Sequence, residues 1–393
     1  MPGPADLSLY YFAGDFVDVL ERFSAGRAQI YRTHDEVAAM IVDLVGDGLK
    51  LRVTSFVTPT PAIRHPRDGV EVIDLGAAGW GDRGLLKEAV SRDDARKIVA
   101  GFPNVELLRA VRRSPARAFA VLASSYNERG WRARLRTARL VRLLNDDRFE
   151  WVSNHGLPST MQLARMGVRI DKLVPWDIPH ELSPDRYPAK QLRADASEPR
   201  AVYVGTILEA KGVSDLIRAV ALLRSRGIEL RSTFLGEGEV EAMRALAASM
   251  GVDDLVEFLG VVDNVEAQRY MRDADVVVVP SRHEYPEGFP LTIYEAIASR
   301  TPLVCSDHPM FVHHLIDGVT ASTFRGGRAD SLAAALERTL GDPDLYARLS
   351  EAAPATLASL AGSGDYRSMI REWALSDGRS EWLTERALNR RSA

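Results

Sequence analysis

This sequence predicts an α/β protein of two doubly wound domains, and three observations carry the prediction. The chain has 393 residues, 46% of them hydrophobic and 26% charged, the balance of a globular protein and length enough for two separate cores. Short β-rich runs alternate with helical patterns through both halves, as parallel sheets with helices on both faces require. A polar stretch after His180, ELSPDRYPAKQLRADASEPR, holds three prolines and no sustained apolar period, and reads as a linker.

In the first half the strand-like runs are LSLYYFA, KLRVTSFV, GVEVIDLG, AFAVLASS and FEWVS, with HDEVAAMIVDLVGDG among the helical stretches. In the second half RAVYVGT, LRSTFLG, VEFLG, ADVVVVPS and TPLVCSD alternate with VSDLIRAVALLRSRG and EVEAMRALAASMG, a cleaner doubly wound pattern. The tail from about Tyr366 is helical in period and carries two tryptophans, so it is expected to pack, back towards the first domain. The boundaries read as an N-terminal Rossmann-like domain over 1–182, a linker over 183–199, a C-terminal Rossmann-like domain over 200–362 and helices over 363–393. No internal repeat or low-complexity segment interrupts them.

The net charge of −4 gives no general attraction for nucleic acid. Cys305 is the single cysteine, which excludes an internal disulfide and any all-cysteine metal cluster and suits a reducing compartment. The start, MPGPADLSLYYFAGDF, has two acids and no basic run, and no apolar run reaches the roughly 20 residues of a spanning helix. A cytoplasmic protein, neither secreted nor integral to a membrane, is the expectation.

In open α/β sheets ligands sit beyond the carboxyl ends of strands. ADVVVVPS is followed by RHEYPEGFP and then a helix from about Leu291 to Ser299, with Pro290 near its start, where a missing N–H costs least. Glu287 is thereby placed in the loop and Glu295 inside the helix. That helix start, with Gly288 permitting close approach, suits an anionic group such as a phosphate. An ionised carboxylate is acceptor-only, so two carboxylates beside an anion site make sense if they accept from hydroxyls flanking the anion. A ligand with sugar, diphosphate and ribose in that order fits. Strand RAVYVG ends at Gly205 and Thr206, and Lys211 precedes a helix beginning near Val213, so this lysine can supply positive charge to the same phosphates. Gly236 and Gly238 in LGEGEVE allow close backbone approach, a weak signal without the third glycine of a dinucleotide fingerprint.

VGTILEAKG, FLGEGE, VEFLGVV, RYMRDADVVVVPSRHEYPEGFPLTIYEAIASRTPLVCSD and IDGVTA, in that order and spacing, resemble the C-terminal domain of family 4 retaining glycosyltransferases. The likeness covers roughly 200–325, and more faintly VSNHGLPSTMQLARMGVRIDKLVPWDIP at 152–179. It implies the GT-B fold, two Rossmann-like domains facing each other across a cleft. It also implies transfer of a sugar, with retention, from a UDP or GDP sugar to a hydroxyl of a saccharide or lipid-linked acceptor, in glycan, polysaccharide or glycolipid synthesis, with no cofactor and no metal. By the same resemblance Glu287 holds hydroxyls of the donor sugar and Glu295 the ribose. The amides of Gly288, Phe289, Leu291 and Thr292 cradle sugar and diphosphate, Lys211 binds the diphosphate, and Val261 and Val262 line the base pocket.

The sequence departs from the family at three places. Thr206 stands where an arginine commonly shares the phosphate charge, Arg300 where a glycine is usual, and His313 near a further glutamate. Where the family often has a cleft histidine, AVLASSYNERG offers Ser125, Tyr126 and Asn127. His155 after FEWVS is the alternative catalytic candidate, weighed against a histidine capping a helix; His34 is weighed against a solvated surface residue. Asp273-Ala274-Asp275 has the spacing of a metal motif but precedes its strand, so it reads as a strand-entry turn. Residues 101–150 hold 11 arginines, no lysine and 5 acids, a net of +6. The Arg-rich helix near 129–144, with Arg132, Arg136 and Arg139 on one side and Ala133, Leu140 and Leu144 on another, is either an ordinary surface helix or a peripheral membrane contact at the inner face. The rival readings are a GT-B scaffold without turnover that binds nucleotide or protein, and a sugar-nucleotide epimerase or a phosphorylase on the same fold.

Overall fold

The computed structural model describes residues 4–11, 14–29, 32–56, 58–77, 82–126, 130–177, 183–193, 198–360 and 364–388. The chain divides into two compact units, Met1–Pro179 with Gly362–Ala393, and His180–Ala361.

The first unit is built on strands β1 (Leu7–Tyr11), β2 (Leu51–Ser55), β3 (Pro61–Arg67), β4 (Val70–Leu75), β5 (Lys97–Gly101), β6 (Arg117–Leu122), β7 (Phe149–His155) and β8 (Leu173–Trp176). They form one sheet in the order β3-β4-β2-β1-β5-β6-β7-β8. All neighbours are parallel except the β3–β4 hairpin. Three of these strands lie outside the runs singled out above. β3 (PAIRHPR) and β8 (LVPW) contain proline and stand at the two edges, where a missing ladder donor is tolerated. β5 (KIVAG) is five buried residues between two others, too short to show a period.

The tail helix Tyr366–Leu375 belongs to this unit. Trp373 is fully buried, meets Phe119 edge to face at 5.6 Å and donates its indole N–H to Glu150 at 2.8 Å. Lys97 donates to the carbonyls of Trp373, Ala374 and Ser376, satisfying acceptors that the helix end leaves open. The Arg-rich helix runs Trp131–Leu144 and buries Ala133, Leu140, Leu143 and Leu144. Its apolar side is therefore core, as for an ordinary surface helix, while Trp131 and Leu135 stay 67% and 50% exposed. Among the described residues no helix is long and apolar enough to cross a membrane.

The second unit carries β9 (Arg200–Val204), β10 (Arg231–Leu235), β11 (Val256–Gly260), β12 (Val276–Val279), β13 (Leu303–Ser306) and β14 (Ser322–Phe324). They form a parallel sheet in the order β11-β10-β9-β12-β13-β14. The four valines of β12 are all buried, the unbroken apolar run of a strand covered on both faces. Cys305 sits within β13 with no exposure.

The polar stretch 183–193 is tied into this unit by its side chains. Lys190 donates to the carbonyls of Arg272 and Ala274 and to the Thr301 hydroxyl. Arg193 forks onto Asp275, which also accepts the Arg200 amide at 2.8 Å. Asp275 of the Asp-Ala-Asp triplet thus anchors the entry to two strands. Arg300 has φ of 56°, a left-handed backbone that costs a non-glycine residue about 1–2 kcal/mol. Its guanidinium donates to the Pro184 carbonyl at 2.7 Å and pairs with Asp185, so its charge is spent at that turn rather than beside Lys211.

Candidate active site

In the second sheet the strand order reverses between β9 and β12, and ligand crevices of doubly wound sheets open at that point. The residues following these two strands meet there. After β9 the chain passes Gly205 and the exposed Thr206, makes a short 3₁₀ turn at Glu209–Lys211 and enters the helix Val213–Ser225 at Gly212. After β12 it runs through Pro280, Ser281 and Arg282 to Glu287, and enters the helix Leu291–Ala298 at Pro290.

Both helix starts lack a side-chain cap, so their first amides keep donors for another partner. Gly212 is required on two counts. Its φ is +75°, and a Cβ there would lie 2.0 Å from the Pro280 carbonyl oxygen. That contact presses the Lys211 turn against the end of β12. Arg282 bolts the same two segments together through both carboxylate oxygens of Asp215 at 2.7 Å, Glu209 at 2.7 Å, and its amide on the Ala210 carbonyl at 3.0 Å.

The chemistry-bearing groups converge on this frame. Lys211 Nζ lies 2.8 Å from each oxygen of the Glu287 carboxylate and 4.5 Å above the Tyr285 ring. Glu287 is buried, with the Ser281 hydroxyl 3.5 Å from its second oxygen. Burial pushes the Tyr285 phenol up, so its ring faces the ammonium as a neutral aromatic face. Glu295 is buried about one turn into the helix. The Phe289 ring packs edge to face on Tyr294 and Phe311 and seats the loop in the core. The Thr292 hydroxyl reaches the Val204 carbonyl at 3.2 Å, tying the helix start to β9. Gly288 and Leu291 are half-buried and Val261 is exposed.

Gly236 serves the frame in a way the sequence reading did not specify. Its φ is +141°, and a Cβ would stand 2.0 Å from the Gly205 carbonyl oxygen, so its glycine lets two strand-end loops pack together. Gly236→Ala is expected to cost at least about 1–3 kcal/mol through backbone strain alone, read as a lower urea midpoint. An unchanged midpoint would mean that the loops re-seat freely.

His155 belongs to the first unit, at the end of β7 beside the edge strand β8, whereas that sheet reverses between β1 and β5. It is buried, stacks on Trp176 at 4.6 Å and lies 3.2 Å from Asp177. The structure thus brings Lys211 onto Glu287, places Glu295 in the helix that follows the 287–290 loop, and holds His155 in a buried cluster with Trp176 and Asp177 within the first unit. Ser125 and His34 are buried in the first unit as well, and Asn127 lies outside the described residues. Tyr285, Arg282 and the fully buried His308, whose Nε2 is 3.1 Å from the Tyr285 carbonyl, escaped the sequence reading because their roles are contacts across the fold. The one available signal was their nearness to Glu287 and to the end of β13.

Comparison with known proteins places this geometry among related sequences and folds. Residues 188–356 match the family model for glycosyl transferases group 1. Among curated proteins, D-inositol 3-phosphate glycosyltransferase of Arthrobacter sp. (strain FB24) is 34% identical over 168 residues, 42% of this chain and 39% of that protein. The chain therefore spans less than half the length of that relative. Among solved structures, sucrose-phosphate synthase from Thermosynechococcus elongatus superposes with a TM-score of 0.69 at 18% identity, covering 93% of this chain and 96% of that one. Anabaena HepE in complex with UDP-glucose superposes at 0.64 and 16% identity, covering 94% and 97%. These likenesses establish the two-domain α/β fold named GT-B.

Proposed function

We propose that the protein is a retaining glycosyltransferase that moves a sugar, without a metal, from a UDP- or GDP-linked donor to a hydroxyl acceptor in glycan or polysaccharide synthesis. One observation carries the reading: Lys211 and Glu287, far apart in sequence, meet at the switch point of the domain that matches the glycosyl transferases group 1 model. A structural neighbour, HepE, holds UDP-glucose. Glu287 would accept from hydroxyls of the donor sugar and Glu295 from the ribose, while the amides of Gly288, Phe289, Leu291 and Thr292 would donate to sugar and diphosphate. Lys211 and the helix starts supply positive potential to the departing diphosphate, which develops charge as the sugar becomes oxocarbenium-like. No protein nucleophile is needed when the incoming hydroxyl attacks from the face the leaving group vacates. The Lys211 charge rests on Glu287; diphosphate binding would redistribute it.

Calorimetric titration of the wild type and Glu295→Ala with UDP, GDP, ADP and dTDP tests this. Binding of one nucleotide, weakened by the substitution, supports the ribose assignment. Failure of all four to bind would favour a scaffold without turnover.

The acceptor, a saccharide or a lipid-linked one, is assigned to the first unit. Trp131 and Leu135 project outward from a helix carrying Arg132, Arg134, Arg136, Arg139 and Arg142, a combination that suits an anionic lipid surface. Co-sedimentation with phosphatidylglycerol vesicles, little with phosphatidylcholine, and loss in Trp131→Ala/Leu135→Ala is the expected result. Equal sedimentation with both lipids, or none, would remove the membrane from the picture.

A further inference from the structure

We propose that His308 is a positioning residue of this site, fixing through the Tyr285 carbonyl the turn that carries Tyr285 and Glu287. His308 follows β13 and is fully buried. The Met310 amide donates to its Nδ1 at 3.2 Å, so the ring proton sits on Nε2 and is donated to the Tyr285 carbonyl at 3.1 Å. The Glu287 amide donates to the same carbonyl at 2.7 Å. Two donors therefore converge on the one acceptor at the centre of a turn whose side chains, Tyr285 and Glu287, grip Lys211.

The neighbouring link from this loop is of the same kind: the Ser306 hydroxyl donates to the Ser281 carbonyl at 2.6 Å. The segment 281–287 is thus held from the β13 side by a hydroxyl and an imidazole and from the β9 side by Arg282. An apolar residue at 308 could fill the space against Phe311, whose ring lies 4.8 Å away, but would supply no donor. The bond that Nδ1 accepts, which sets the ring's orientation, depends on a neutral ring. A second proton, on Nδ1, would face the Met310 N–H and break that bond. Burial already lowers the His308 pKa, and the charged or titratable groups facing it are Glu287, His283 and Lys211, with Tyr285 as its partner.

The inference rests on the glycosyltransferase reading, and the experiment separates the two. Release of UDP or GDP from UDP-glucose and GDP-mannose is measured for the full-length wild type, His308→Phe and His308→Gln, together with nucleoside diphosphate binding, across pH. A misplacement of about 1 Å at a reacting centre costs up to about 100-fold. His308→Phe is therefore expected to lose about 10- to 100-fold in kcat while nucleotide Kd moves less than about threefold. His308→Gln, whose amide N–H can replace Nε2–H, should recover most of it. The wild type should lose activity as pH falls below the ordinary histidine range, with that limb absent in His308→Gln. Unchanged kcat in His308→Phe, or no rescue by glutamine, would reduce His308 to packing. Should the wild type neither bind nor cleave any nucleotide sugar, the glycosyltransferase reading falls, and crystal structures of the variants decide the positioning claim. Glu287 displaced in His308→Phe and restored in His308→Gln upholds it; an undisturbed Lys211–Glu287 pair overturns it.

Discussion

Lys211→Met is expected to destabilise the protein more than Lys211→Met combined with Glu287→Gln. The pair is largely buried, the two side chains being 15% and 6% exposed. Removing the ammonium alone leaves a buried carboxylate without its counter-charge, a loss of about 3–5 kcal/mol, whereas replacing both charges by neutral groups of similar size costs far less. Urea unfolding of the two single variants and the double variant closes a cycle whose coupling term should be about 2 kcal/mol or more. Strict additivity would mean that the pair is solvated in solution. In turnover, Lys211→Met should lose about 10²–10³ in kcat, the scale for one preorganised group at a developing anion. The double variant should not regain it, because its gain is in stability only.

Arg282→Ala carries the second large effect. It strips Asp215, whose side chain is 3% exposed, of two 2.7 Å hydrogen bonds and leaves it with Arg218 at 3.4 Å. A loss of about 3–5 kcal/mol is expected in urea unfolding. Arg282→Lys should recover only part of it, since an ammonium cannot reproduce a fork that spans both carboxylate oxygens and Glu209. Because Arg282 joins the Lys211 turn to the segment after β12, amide hydrogen exchange should quicken across 209–213 in both variants. Protection unchanged there would show that the Gly212–Pro280 contact holds the turn alone.

Much of the candidate site could be read from residue order, because strand, loop and helix follow one another within a few residues. Glu287 in the loop, Glu295 in the helix and Lys211 ahead of Val213 required only period and punctuation. The strands that escaped, β3 and β8, carry prolines that in sequence argue against a strand and in the fold mark an edge. His155 follows a strand, as chain order indicates, but its stacking on Trp176 and its approach to Asp177 have no local signature in the sequence. The meaning of Arg300 was hidden for another reason. Its left-handed backbone explains why a glycine suits the position, and only coordinates reveal that φ. His308 acts on a carbonyl 23 residues away, a relation with no local signature.

The lone thiol offers a consequence of a different kind. Cys305 is flanked by β12 and β14, paired with Val279 and Thr323, and its burial suppresses the thiolate. A disulfide reagent meets it only when those strands part. Its labelling rate is therefore a clock, present in the natural chain, that counts openings of the sheet from which the Glu287 loop departs. Occupants that cross-link the ends of β9 and β12 would slow that clock, so a ligand could be found by its effect on one sulfur before any of its chemistry is known.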